Sequence, residues 1–200
     1  YPMMYYKDHH FYPFVDDWMV NGNNRILVPG LGVYQMDELG WSRQDILNQV
    51  EYTRHNQVHG QAYFRTGNLL ANTKEILTSI ASYYRYPAKL PPMTWLSDTI
   101  PDPPTDLRAE RTSDGLLELS WNQATGDKRV KYNVYRTENE DFSRERPENL
   151  LAVGVRDCFF RYQAEDDDKA YYYFVTVSDS FHNESEQAVP AFFYHSRTVK

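Results

Sequence analysis

VHGQAYFRTGNLLANTKEILTSI, Val58 to Ile80, runs from a short apolar strand through a polar turn into an amphipathic segment. The same design stands just before it in RILVPGLGVYQMDELGWSRQDILNQVEYTRH, Arg25 to His55. A third copy, YPMMYYKDHHFYPFVDDWMVNG, opens the chain. LVPGLGVY is a continuous apolar run, as expected of a strand buried on both faces. FYPFVDDWMV places Phe11, Phe14, Val15, Trp18 and Met19 at helical spacing, and Gly22 with the following Asn residues suits a left-handed cap. In SRQDILNQVEYTRH, Ile46, Leu47, Val50 and Tyr52 fall on a helix, and Ser42 with Asp45 resembles a capping box. Asn72 or Thr73 can cap the last helix, KEILTSIASYY. Strands alternating with helices predict parallel pairing through right-handed crossovers.

Three such units neither cover both faces of a sheet nor close a barrel, which needs about 250 residues. Residues 1–86 therefore read as the tail end of a (β/α) barrel. Prolines crowd between Pro87 and Pro104, so residues 87–103 read as a stiff linker. Trp95 and Leu96 within it are too apolar for a free linker and are expected to pack on a domain. From residue 104 to 200 the pattern changes to period two. LRAER, LLELSW, KYNVYR, LLAVGV, CFFRYQ, YYYFVTVS and QAVPAFFY read as seven strands with turns such as SDG and TGDK between them, the pattern of a β-sandwich. The expected class is α/β plus all-β.

Of the 200 residues, 41% are hydrophobic and 24% charged, which is globular composition. The net charge of −7 argues against a nucleic-acid partner, since no basic stripe is present to displace counterions. Seventeen tyrosines pair an apolar ring with a hydroxyl, a side chain suited to half-buried strands and to sugar-binding surfaces alike. Cys158 is the single cysteine, so no intramolecular disulfide forms. No apolar run is long enough to span a bilayer. The chain begins with Tyr1, not Met, and its start is expected to have been removed.

The second half resembles a fibronectin type III domain in PPTDLRAE, in GLLELSWNQA with Trp121, in VKYNVYR and in AYYYFVTVSDSFHNES. The resemblance spans residues 101–195 and implies that Tyr171 is the tyrosine-corner residue. The first half resembles the C-terminal end of the family-10-like glycosyl hydrolases, bacterial secreted proteins, some of them lipoproteins, with a TIM-type barrel. LVPGLGVYQ, ILNQVEYTRHN, VHGQAYFRTGNLLAN and YYRYPAKLPPMTWLSD carry it. This resemblance implies that the three strands are the sixth, seventh and eighth of the barrel. It implies a secreted, periplasmic or cell-surface location.

Barrel ligands meet the loops at the C-terminal ends of the strands. Those loops hold Tyr6, Lys7, Asp8 and His9, then Tyr34, Gln35, Asp37 and Glu38, then Arg65, Thr66 and Asn68. Planar polar side chains read hydroxyls, and Tyr34 or Trp41 can stack on a pyranose face. The expected substrate-binding set is Tyr6, Asp8, Tyr34, Gln35, Trp41, Arg65 and Asn68, with carbohydrate as the partner. Polar residues are also common in loops that bind nothing.

Glycoside hydrolysis uses two flanking carboxyl groups. Asp8, Asp37 and Glu38 are the acids near the rim, and none sits in a distinctive motif. Asp8 is the best single candidate, in a supporting role. In hydrolase barrels of this kind the principal acids often come from the fourth strand and a later one, and the fourth lies outside this chain.

No cofactor or metal is expected. His9 and His10 are adjacent, and on a strand they point to opposite faces. His59 falls beyond the helix that carries His55. EDDDK, Glu165 to Lys169, lacks the glycine and the alternation of a calcium loop. Cys158 reads as a small buried residue. In YYYFVTV, Tyr171, Tyr173 and Val175 face inward. The outward Tyr172 and Phe174 are expected to meet the barrel remnant or Trp95, with a sugar platform as the sharper alternative.

Two functions follow. One is the C-terminal portion of a secreted hydrolase of polysaccharides, inactive alone, whose exposed barrel edge is covered by a missing N-terminal portion, a second copy or the sandwich. The other is a non-catalytic carbohydrate-binding, adhesion or scaffold module.

Overall fold

A computed structural model describes residues 1–124, 129–140, 142–165 and 168–195, apart from the side chain of Asp8. The chain divides into two compact units, residues 1–85 and 86–200.

The first unit mixes helices with a small parallel sheet. Its elements are α1 (Asp8–Asn21), β1 (Gly30–Gly32), α2 (Gln35–Glu38), α3 (Arg43–His55), β2 (Ala62–Phe64), α4 (Thr66–Leu70) and α5 (Ile76–Ala81). β1 pairs with β2 in parallel, Gly30 opposite Ala62 and Gly32 opposite Phe64. The expected first strand is reduced to one parallel bridge, Met3 to Gly30. Both helical capping groups of Ser42 and Asp45 are satisfied reciprocally at the start of α3, which stabilises the helix where its first amides lack partners. Phe11 and Val15 of α1, Leu31 of β1, Ile46 and Val50 of α3 and Ile76 of α5 are fully buried in one core. The apolar stripe expected on α1 is only partly used, because Phe14, Trp18 and Val20 are exposed.

Two local readings change. His9 and His10 lie in α1, not on a strand, and their rings meet at 4.1 Å. Gly22 caps α1 with φ −76°, outside the left-handed region, which Asn23 and Asn24 adopt instead. A side chain at Gly22 is still excluded, since a Cβ there would lie 2.5 Å from the Trp18 carbonyl oxygen.

The final helix is broken in two. Asn72, Lys74 and Glu75 take positive φ, an uncommon state for residues with a Cβ. Lys74 Nζ donates to the carbonyls of Met36 at 2.9 Å and Trp41 at 2.6 Å, which holds the turn. Asn72 Oδ1 accepts from the amides of Leu77 at 2.9 Å and Thr78 at 3.3 Å, and so caps α5 across the turn. Asn72→Ala is expected to cost about 1 kcal/mol; urea unfolding of the first unit reads it, and an unchanged midpoint contradicts the cap.

The second unit has two antiparallel sheets. They are built from β3 (Thr105–Arg111), β4 (Leu117–Asn122), β5 (Lys131–Thr137), β6 (Leu150–Val155), β7 (Phe159–Tyr162), β8 (Lys169–Ser178) and β9 (Ala191–His195). The sheet orders are β3-β4-β7 and β6-β5-β8-β9. Leu117, Leu119 and Trp121 of β4 share one core with Tyr132 and Val134 of β5 and Tyr171, Tyr173, Val175 and Val177 of β8. Trp121 meets Tyr132 edge-on at 5.2 Å, a favoured aromatic geometry.

Phe174, on the other face of β8, is buried with Tyr135 and Leu150. Phe142 stacks on it at 4.3 Å. The cover for that face therefore comes from the second unit itself. Tyr172 remains half-buried beside Phe192 at 5.2 Å. Tyr171 lies under the Arg136 guanidinium at 4.5 Å.

The Pro-rich segment is fastened to this unit. Met93 N donates to Phe181 O at 2.8 Å, Asn183 Nδ2 donates to Ser97 O at 3.0 Å, and Lys89 pairs with Glu184 at 2.7 Å. The TGDK turn and Asp166 and Asp167 of the acidic run lie outside the described residues.

Candidate functional site

At the C-terminal ends of the parallel strands three aromatic rings converge. Tyr5 follows the Met3 bridge, Tyr34 follows β1, and Phe64 ends β2. Tyr5 stacks on Phe64 at 5.5 Å and 20°. Tyr34 stands edge-on to Tyr5 at 5.6 Å and to Phe64 at 5.5 Å. Burial and the neighbouring Tyr34 hold the Tyr5 phenol above its usual pKa.

Glycines make this packing possible. A Cβ on Gly30 would lie 3.2 Å from the Tyr5 ring, and one on Gly32 would lie 3.2 Å from Tyr5 Cβ and 3.3 Å from Gln35 Cδ. Tyr5 and the Gln35 carboxamide thus fill space that side chains on β1 would otherwise occupy. Gln35 Nε2 donates to Tyr5 O at 2.9 Å and to Tyr34 Oη at 3.3 Å.

Beside the rings runs a chain of polar groups. Asn68 Nδ2 donates to Asp37 Oδ2, and Thr73 Oγ1 donates to the same oxygen at 3.4 Å. Arg65 Nε donates to Asn68 Oδ1 at 3.3 Å, and its guanidinium pairs with Glu38 at 3.4 Å. Apolar faces beside paired donors and acceptors suit a ligand that is itself half apolar and half hydroxylated.

Tyr34, Gln35, Arg65 and Asn68 of the expected set lie in this region. Tyr6 and Trp41 do not share its ring contacts. The Tyr6 ring meets Phe14 at 5.5 Å and His10 at 6.2 Å, both on α1. Trp41 is 4% exposed within the core, so it offers no face for a sugar. Asp8 is the first residue of α1, and its side chain lies outside the described residues.

Sequence reasoning missed Tyr5 and Phe64. The available signal was alternation: Tyr5 and Tyr6 point to opposite sides of one extended segment. It also missed Gln49, which is fully buried and donates to Tyr6 O at 2.8 Å. His59 Nδ1 accepts from Leu27 N at 3.0 Å, a backbone-holding role. Among the described residues no three His, Cys, Asp or Glu groups gather as a metal site, and no helix is long and apolar enough to cross a membrane.

No protein-family model matches the chain. Over 156 residues it is 30% identical to glycosyl hydrolase YngK of Bacillus subtilis (strain 168), a match that covers 73% of this chain. The chain is similar to a glycosyl hydrolase. It spans 29% of that protein's length. Among solved structures, a Fn3-like protein from Clostridium thermocellum is 25% identical, covering 47% of this chain and 92% of that one with a TM-score of 0.40. Titin domains A168–A170 are 19% identical, covering 49% of this chain and 33% of that one with a TM-score of 0.38. The second unit's own strand order, three strands facing four around one core, is fibronectin type III-like.

Proposed function

We propose that this chain is the C-terminal part of a glycoside hydrolase, of the family-10-like kind, that acts on a polysaccharide. The observation that carries the reading is the likeness to a glycosyl hydrolase over most of the chain. The parallel β1–β2 pair with its aromatic and polar C-terminal rim supports it, since that end is where barrel enzymes bind substrate. In this reading the first unit supplies the last three strand–helix steps of a (β/α) barrel. Residues 87–103 lead into a seven-stranded sandwich at 104–200. Met3, 74% exposed at the sheet edge, and the exposed Phe14, Trp18 and Val20 of α1 form the face that upstream polypeptide or a second copy covers. The chain alone is inactive, because the acids of the earlier strands belong to the missing steps. The parent protein is secreted, periplasmic or cell-surface.

A non-catalytic carbohydrate-binding or adhesion module is the second reading. It is favoured by Asp37 and Glu38 already being bonded to Asn68 and Arg65. The test is release of reducing sugar from a polysaccharide panel by the complete gene product and by these 200 residues alone. Activity in the longer protein, and none in the shorter, is expected. An inactive complete product, or a gene with no upstream coding sequence, rejects the hydrolase reading in favour of the second.

A further inference from the structure

The geometry points to Phe64 as the platform on which a pyranose ring stacks, with Gln35, which is bonded to the Tyr5 carbonyl and the Tyr34 hydroxyl, as a hydroxyl acceptor. This rests on the carbohydrate reading above and names the residues that perform it.

Phe64 is 48% exposed although it ends a strand beside a well-packed core. Its ring is not loose. Tyr5 lies nearly parallel to it at 20°, and Tyr34 meets it at 85°. A ring held on two sides loses little freedom when a ligand stacks on it, so less of the stacking energy is lost to ordering. The arrangement depends on Gly30 and Gly32, which leave room for Tyr5 to lie against β1.

Gln35 is a second, independent observation. It is 5% exposed, its carboxamide occupies the same gap over Gly32, and its side-chain hydrogen bonds to Tyr5 O and Tyr34 Oη both use Nε2. Its Oε1 is buried and has no donor among the described residues. An unsatisfied buried acceptor costs about 1–3 kcal/mol. A sugar hydroxyl that reaches this oxygen is a donor that removes the cost. Pyranoses present a C–H face and an equatorial rim of hydroxyls. The rings match the first; Gln35 and the Arg65–Asn68–Asp37 chain match the second.

The test is affinity electrophoresis of the whole chain through gels containing xylan, hydroxyethylcellulose or glycol chitin. Retardation of the wild type in at least one gel is expected. Phe64→Ala weakens it about tenfold, in line with the loss of one aromatic contact, and Phe64→Trp retains it. Phe192→Ala, at an exposed ring of the second unit, leaves it unchanged. Circular dichroism confirms that each variant is folded. A folded Phe64→Ala chain retarded like the wild type overturns the platform and leaves the carbohydrate reading standing. Loss with Phe192→Ala moves binding to the second unit and also overturns it. A wild type retarded in none of the gels overturns platform and carbohydrate binding by this chain together, and sugar release by the complete gene product still judges the hydrolase reading separately.

Discussion

Glu184→Ala is expected to lower the stability of the second unit by about 3 kcal/mol, the scale for removing one partner of a buried charged network. Lys89 Nζ donates to the Glu184 carboxylate at 2.7 Å, Thr176 Oγ1 at 2.6 Å and Asn133 Nδ2 at 3.1 Å, and Tyr135 Oη donates as well. Alanine leaves all of these donors without their acceptor, and Asn133 and Thr176 are buried too deeply for water to replace it. The carboxylate also ties the Pro-rich segment, through Lys89, to the sheet formed by β5 and β8. Hydrogen exchange in β5 and β8 reads the loss. Protection equal to the wild type's in those strands contradicts the assigned role.

The same group predicts an acid limb. Burial pushes the Glu184 carboxyl up, but bonds from Lys89, Thr176, Tyr135 and Asn133 outweigh it and hold its pKa below the usual value. A depressed folded pKa gives stability that is fully present above the unfolded value of about 4.3. That stability is lost as pH falls through the folded pKa. Urea midpoints of the second unit should therefore fall below about pH 5. Glu184→Gln, which cannot titrate, starts lower and falls less steeply. Equal slopes for the two proteins would show that other carboxylates govern the limb.

The second large effect is expected at Trp41. Trp41→Ala should cost the first unit about 3–5 kcal/mol, the range for deleting a buried aromatic side chain. Trp41 is 4% exposed, lies in the core with Met36 and Ile46, and has the Lys7 ammonium 5.6 Å from its ring. Its carbonyl also anchors Lys74, a bond the substitution leaves in place. Trp41→Phe keeps the ring in the core and should retain most of the stability. Neither a fold change nor weaker polysaccharide retardation is expected from it. A stable Trp41→Ala chain that loses only retardation would return Trp41 to the sugar-binding role its sequence position suggests.

Trp41 and Phe64 show why that role was hard to assign. Phe64 ends β2 and Trp41 lies between α2 and α3, and composition does not separate them. Exposure does, and exposure depends on neighbours distant in sequence. Tyr5 is similar. Its ring reaches Phe64 only because Gly30 and Gly32 leave space on β1, a relation between three segments that no single window contains.

Local rules carried the rest further. The Ser42–Asp45 box and the period-two alternation of the strands in the second half are each set by residues within a few positions of one another, and sequence alone determined them. Propensity and side-chain spacing act over that short range. Tertiary structure alone decided the break at Asn72–Glu75, which depends on Lys74 reaching two carbonyls over thirty residues away. It decided the burial of Phe174 under Phe142 and the fastening of Lys89 to Glu184. It also decided which polar residues are bonded to each other, Asn68 to Asp37 and Arg65 to Glu38. Such pairings are chosen by which groups the packed core brings within hydrogen-bond distance, and a linear pattern does not encode that distance.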